Sequence, residues 1–479
     1  MKKIAPFLIL LLIASAAVFV QPETMFSGEE TYNSSDIAWI LISAALVFLM
    51  TPGLAFFYGG MVNSKNVIST MIKSFVSAGV VSVLWVMVVF SLCFGDSLGG
   101  VIGNPTSYLF FQNILSGEPW PGAPTIPFAL FAMFHLMFAI ITPGIVVGAV
   151  AERIKFTSYI LFIVLFSLLI YAPLAHWSWH PEGFLAKLGV LDFAGGTVVH
   201  ISAGCAALAG ALVLKRRRSH LFKIQTRPAN IPFVLIGTGL LWFGWFGFNA
   251  GSALAANSLA VSAFGTTNAA AAAAGLAWMF FDVMRGKKPS VIGFCIGAVV
   301  GLVAITPSAG FVAIPQSIFI GFIAALISNL AVEWRSRSSL DDTLDVVPCH
   351  GVGGVVGMLL TGVFATTVVN PAGATGLFYG ATEFFTAQVL GVLIVTTYSF
   401  AVSYGIFKLI NLIDPIRVSE EEEEKGLDLS QHDEELFFQP LSVSPAVGAG
   451  FNGASYEGSG FTDPTTKEVQ DEALAKAEL

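Results

Sequence analysis

Apolar stretches of about twenty residues, separated by short polar joints, recur along most of the chain. Beyond an N-terminal segment, eleven of them fall at residues 36–59, 67–95, 126–150, 154–175, 193–214, 230–250, 258–281, 291–305, 313–333, 346–365 and 384–412. A helix rises ~1.5 Å per residue, so runs of this length suit a hydrocarbon core ~30 Å thick, and a helix satisfies its own backbone there. The strict apolar/polar alternation of a large-lumen β-barrel is missing. The pattern predicts an all-α polytopic membrane protein with eleven transmembrane helices, residues 36–412 forming the membrane domain.

Two ends stand apart from this pattern. Lys2 and Lys3, the apolar run from Ile4 to Ile13 and Ala14-Ser15-Ala16 read as a cleaved signal peptide over residues 1–23, with an uncleaved first span as the alternative. From residue 413 to 479 the chain carries 16 acidic and 4 basic residues, a balance of −12, against 19 basic and 15 acidic, +4, in residues 1–412. This stretch is an acidic cytoplasmic tail, disordered or ordered only against the membrane domain, and a solvated tail with no specific role is the plain alternative.

Charge also orients the spans. The loops after the first, third, fifth, seventh and ninth stretches carry Lys65 and Lys73, Arg153 and Lys155, six cations from Lys215 to Arg227, then Arg285, Lys287 and Lys288, and Arg335 and Arg337. The other loops hold only Lys187, so the first set is expected in the cytoplasm, with the mature N-terminus outside and the C-terminus inside. An odd number of spans fits a 5+5 inverted repeat plus one helix. The chain is 55% hydrophobic and only 11% charged, which excludes an ordinary soluble domain, and without a large basic surface no nucleic-acid partner is expected. Cys93, Cys205, Cys295 and Cys349 all lie in apolar segments and read as small buried residues.

Apart from Lys73 near an end, no Lys, Arg, Asp or Glu lies deep in a span, which leaves histidines and aromatics as the chemistry-bearing residues. His200 has Gly196, Ala203, Gly204 and Ala207 on its face, and His350 has Gly353, Gly354 and Gly357, so another backbone can approach each imidazole. Their depths let them meet near the midplane; two separate histidines, each bonded to a carbonyl, fit the spacing as well. Asp192 is placed to cap the His200 helix, and a capped carboxylate at the outer mouth also favours an arriving cation. Trp245, Phe248 and Ser252 share one helix face at the outer end, as do His135, Phe138 and Thr142, for packing or for a site.

Five runs taken together resemble the ammonium transporter, methylammonium permease and Rhesus protein superfamily, most of all its bacterial and archaeal ammonium transporter branch. They are Thr51-Pro-Gly-Leu-Ala-Phe-Phe-Tyr-Gly-Gly60 with Ser64-Lys-Asn66, Ala151-Glu-Arg-Ile-Lys-Phe156, Asp192-Phe-Ala-Gly-Gly-Thr-Val-Val-His200, Gly244-Trp-Phe-Gly-Phe-Asn-Ala-Gly-Ser252 and His350-Gly-Val-Gly-Gly354. The resemblance implies a homotrimer with one pore per subunit in the cytoplasmic membrane, carrying ammonium or methylammonium, with no enzyme activity and no cofactor. It implies an outer ammonium site of Trp179, Phe138 and Ser252 supported by Asp192, a gate of Phe138 and Phe248, and a pore of His200, His350 and Trp245. Gly426-Leu427-Asp428 resembles the family's regulatory tail, whose usual partner is a PII-type signalling protein. Two residues depart from the family's pattern: His135 stands where glutamine is expected and Pro348 where a small residue is expected, and the Trp179 to Asp192 interval is one residue longer.

Potassium and ammonium are close in size, so stripped cations would be poorly sorted by radius. Only ammonium has N–H donors and a removable proton, which makes loss of that proton the discriminating step. Three other readings compete: an ammonium sensor of the same fold, a gas channel for carbon dioxide, and a membrane haem or metal protein using His200 and His350 as ligands.

Overall fold

The computed structural model describes residues 4–24, 31–224 and 227–436, and every structural statement below is made of these residues. The extension from Phe437 to Leu479, like Lys2 and Lys3 of the expected signal peptide, lies outside them. The first helix, α1 (Ala5–Ala17), is 13 residues long with no buried residue, shorter than a membrane span and in the range of a signal-peptide core.

Ten helices are long and apolar enough to cross a membrane. They are α2 (Ser34–Met61), α3 (Ser64–Phe94), α4 (Phe128–Val150), α5 (Phe156–Lys187), α6 (Gly196–Leu214), α7 (Ile231–Gly251), α8 (Ser258–Met284), and, after the 15-residue α9 (Val291–Ile305), α10 (Ile314–Arg337), α11 (Val347–Phe364) and α12 (Thr382–Ile413). All eleven expected stretches are therefore helical, but α9 stops short because Thr306-Pro307-Ser308 turns the chain and Pro307 has no N–H to extend it. The space this leaves is used: Phe193 N–H donates to the Pro307 carbonyl at 3.1 Å, seating the loop that starts α6. Asn33, Asn230, Asn257 and Ser290 cap α2, α7, α8 and α9 by accepting backbone N–H bonds.

Two buried cores divide the bundle, one drawn mainly from α2 to α6 with α12, the other from the end of α7 through α11. The four cysteines are free and buried. A short hairpin of β1 (Ser97–Leu98) and β2 (Ile102–Gly103) follows α3 at the face where α5 ends, and its carbonyls hold α5: Trp177 Nε1 donates to Val101 O at 2.6 Å. The loops rich in Lys and Arg converge at the opposite end. There Arg217 bridges Asp341 at 2.8 Å and Glu152 at 2.5 Å, with Arg153 donating to Thr343 Oγ1 at 2.7 Å beside them. This end is called the basic face below.

Candidate functional site: a gated aromatic cavity above a histidine pair

The two histidine-bearing helices begin the same way. Each opens with a π turn, Gly196–Ile201 in α6 and Val347–Val352 in α11, and each histidine sits inside that turn. An aspartate stands eight positions before each histidine, Asp192 before His200 and Asp342 before His350, an interval the two helix starts share in the sequence. Both carboxylates tie down their helix starts: Asp192 accepts from Gly195 N at 2.8 Å, Gly196 N at 2.6 Å, Thr197 N at 2.7 Å and Thr197 Oγ1, and Asp342 accepts from Val347 N at 2.7 Å. Single π turns inside helices are uncommon and recur at functional sites, where the wide turn frees backbone and re-aims side chains.

Small residues then let the two helices touch. A Cβ on Gly204 would overlap the backbone of Gly351, and one on Gly354 would come within 3.1 Å of His200 Cβ. The imidazoles meet as a result, His350 Nδ1 lying 3.3 Å from His200 Nδ1, with ring centroids 5.4 Å apart. One Nδ1 must donate and the other accept, so the neutral pair holds one ring in each tautomer and offers one Nε2 lone pair and one Nε2–H. His200 Nε2 is buried with no protein partner. Among the described residues no group of three or more His, Cys, Asp or Glu side chains gathers to hold a metal ion, so the pair lacks the further protein ligands a metal site usually has.

Trp245 packs face to face with His200, centroids 5.4 Å apart, and its Nε1 donates to Thr306 Oγ1 at 2.9 Å. Around the pair the wall is aliphatic and aromatic, with Leu54, Ile141, Val199 and Leu241 among its residues, and encloses a cavity of about 10 Å³. That is about the space one water centre requires. Phe138 and Phe248 close its far side, stacked with centroids 4.1 Å apart.

Beyond the two rings, away from the basic face, a second cavity of about 190 Å³ is lined by Phe138, Trp179, His135, Trp120 and Ser252. Ser252 Oγ donates to Phe248 O at 2.8 Å, leaving its lone pairs free. The sequence-predicted residues thus gather in two layers, with two corrections. The stripe of Trp245, Phe248 and Ser252 does not lie together at one mouth but crosses the ring stack, because seven helical residues rise ~10 Å. Asp192, expected in the cation site, does not line the cavity: the four donors of its own loop occupy its carboxylate, and its carbonyl instead accepts Trp179 Nε1–H at 3.0 Å, fixing that indole. Thr142 is likewise spent, donating to Phe138 O at 2.7 Å.

The Ammonium Transporter Family profile matches residues 38–437. The chain belongs to the ammonium transporter family. Among relatives within it, the ammonium transporter of Bacillus subtilis is 44% identical over 414 residues, covering 84% of this chain and 98% of that protein. Ammonium transporter Amt1 of Archaeoglobus fulgidus is 43% identical over 402 residues, 84% of this chain and 99% of that one. Of solved structures, Saccharomyces cerevisiae Mep2 superposes with a TM-score of 0.77 at 33% identity, covering 82% of this chain and 89% of that chain. A structure described as a sensor Amt protein gives 0.75 at 30% identity, covering 83% and 98%. This family member is thus a multi-pass membrane protein of transporters, and its relatives share the helical architecture described above.

At the basic face the tail is seated on the membrane domain up to residue 436. Gly426 takes φ +98°, a backbone state that favours glycine, and lies against Lys65. Leu427 is fully buried and its N–H donates to Asn66 Oδ1 at 2.8 Å; Asp428 accepts from Ser69 N at 2.7 Å and Ile68 N at 3.1 Å, capping α3. Lys73, one turn further, is buried and donates to Ser69 O at 2.8 Å and Ser69 Oγ at 2.6 Å. Glu423 completes the seat, accepting from Arg218 N at 2.7 Å and Arg417 at 2.6 Å. Composition alone gave no sign that Glu423 and Asp428 of this acidic tail are buried while Glu420, Glu421 and Glu424 stay exposed, since the partners come from distant loops.

Proposed function

We propose that the protein imports ammonium across the cytoplasmic membrane by holding the cation above the Phe138–Phe248 stack, removing its proton, and passing ammonia along His200 and His350. The observation that carries this reading is the layering: a wide aromatic cavity with a free hydroxyl lone pair, then two stacked rings, then a cavity about one water across whose polar groups are the histidine nitrogens. Trp179 and Phe138 supply ring faces for cation–π attraction of ~1–2 kcal/mol when partly desolvated, and Ser252 accepts an N–H bond. Asp192 supports the site through its loop and Trp179.

Past the rings an intact cation would face an aliphatic wall, where an isolated charge is far more costly than a neutral solute. Ammonia, neutral and both donor and acceptor, can pair with one Nε2 lone pair and one Nε2–H in turn. Potassium has no proton to surrender. The separated proton follows through the imidazole pair or returns to the outer side, and the first route makes transport electrogenic. In this reading eleven helices form an inverted repeat with the basic face and C-terminus in the cytoplasm, three copies assemble with a pore in each, and a PII-type protein docks on the basic face beside Gly426, Leu427 and Asp428.

The test is current on a solid-supported membrane carrying reconstituted protein, with ammonium and potassium pulses applied to the native chain and to His200→Ala with His350→Ala. An ammonium-selective current that the double variant loses, or carries without selectivity, is the expected result. Absence of both current and labelled methylammonium uptake from native vesicles would overturn the proposal in favour of a sensor.

A further inference from the structure

We infer that His135 is a specificity-determining residue of the outer cavity: its Nε2 accepts an N–H bond from the bound cation, opposite Ser252. The inference rests on reading that cavity as an ammonium site. His135 stands on α4 one turn before Phe138 and lines the cavity with Trp179 and Ser252. Its ring is wedged among Phe94, Phe131 and Phe134, with centroids 4.9, 4.2 and 5.6 Å away, so it cannot swing out.

The tautomer follows from the helix. Nδ1 lies 3.0 Å from the Phe131 carbonyl, which can only accept, so Nδ1 carries the hydrogen. The neutral ring then has its lone pair on Nε2. That atom has no hydrogen-bond partner among the described residues, yet unlike His200 Nε2 it is not sealed from solvent-sized access. His135 is 8% exposed as a residue, and it lines the cavity. No Asp, Glu, Lys or Arg lines that cavity, so nothing competes for the lone pair.

Two acceptors, Ser252 Oγ at the C-terminal cap of α7 and His135 Nε2 on α4, therefore serve one space whose remaining walls are mostly ring faces. Ring faces attract any monovalent cation of suitable size; acceptors aimed at N–H bonds favour one that has them. A packing role alone would need the ring's shape but not its lone pair.

Half-saturating ammonium and maximal current, measured on a solid-supported membrane, separate the two for His135→Gln, which retains an acceptor oxygen, and His135→Leu, which has none. Loss of the acceptor in the Leu variant is expected to raise half-saturating ammonium about tenfold, equivalent to ~1.4 kcal/mol, with maximal current within about twofold of native. The Gln variant is expected to stay within about threefold of native on both. If the Leu variant does not fold in detergent, His135→Phe, matched to the surrounding rings, takes its place with the same expectation. Equal affinity in all variants, or equal weakening in Gln and Leu, overturns the inference and leaves His135 as packing. Native protein that carries no ammonium current overturns the function itself, a result distinct from either.

Discussion

Asp192→Asn tests whether the loop before His200 is built by its carboxylate. In the native chain Oδ1 accepts from Gly195 and Gly196 at 2.8 and 2.6 Å, and Oδ2 accepts from Thr197 N at 2.7 Å and from Thr197 Oγ1. Asparagine can replace only one of these oxygens. Keeping the Gly195 and Gly196 bonds turns its NH₂ toward the Thr197 N–H, donor against donor, while the Thr197 hydroxyl can rotate toward Ser178 Oγ, now 3.3 Å away. One stranded buried donor costs ~1–3 kcal/mol, and weakening two charge-assisted bonds to neutral ones adds ~1 kcal/mol each. The sum, about 3–5 kcal/mol, falls on the π turn that holds His200 and on the carbonyl that holds Trp179.

Melting of the detergent-solubilised protein, followed by intrinsic tryptophan fluorescence, should drop on the order of 5 °C, and methylammonium uptake by proteoliposomes should fall with it. Asp192→Glu, which preserves the charge, should lose less of both. An Asn variant that melts within about 1 °C of native and transports at full rate would refute the assignment of the carboxylate as the organiser of this loop.

Gly204→Leu should abolish assembly or flux by forcing α6 off the Gly351 backbone, whereas Gly405→Ala, where a Cβ meets nothing within 4 Å, should leave both unchanged; size-exclusion profiles and uptake decide. Phe248→Ala removes one ring of the 4.1 Å stack and joins the two cavities; potassium pulses, expected to give no current in the native chain, should give one in the variant, and silence in both would remove Phe248 from the gate. Arg217→Met leaves Asp341, fully buried, and Glu152 without their cation and should destabilise the protein by ~3–5 kcal/mol, read as a lower melting temperature at pH 7. Burial raises the Asp341 carboxyl, but hydrogen bonds from Arg217 and the charges of Arg153 and Arg217 outweigh it and hold the group well below the usual carboxylate range. Its stabilisation is therefore complete above the ordinary aspartate value of ~3.9 and drains away as pH falls below that, so the melting gap between native and Arg217→Met should narrow in acid.

The spans were legible because lipid leaves the backbone few options, and hydropathy records that constraint directly. The 291–305 stretch was legible as a helix, but not that Pro307 would stop it early to seat Phe193. The meeting of His200 and His350 could be anticipated from the small residues around them, since Gly204 and Gly354 mark where another chain must pass. Which side of the ring stack Trp245 and Ser252 would occupy could not, because a helical stripe gives azimuth and leaves depth to whatever crosses it. Nor could the seat of Asp428, whose partners Ile68 and Ser69 lie some 360 positions away and carry only ordinary helix-start chemistry.

The π turns that open α6 and α11 amount to one residue more than an α-helix would place in the same arc. Each histidine thus sits at a point of rotational slack between an anchored aspartate loop and a closely packed helix body. Deleting a single residue from the 196–201 turn would let it wind as ordinary α-helix, and the ~100° per residue of that helix would be taken up by the turn itself, since both flanks are tied. His200 would keep its neighbours in sequence and lose its partner in space. The pairing of the imidazoles is in this sense a matter of phase, written in the number of residues between Asp192 and the helix body as much as in their identity.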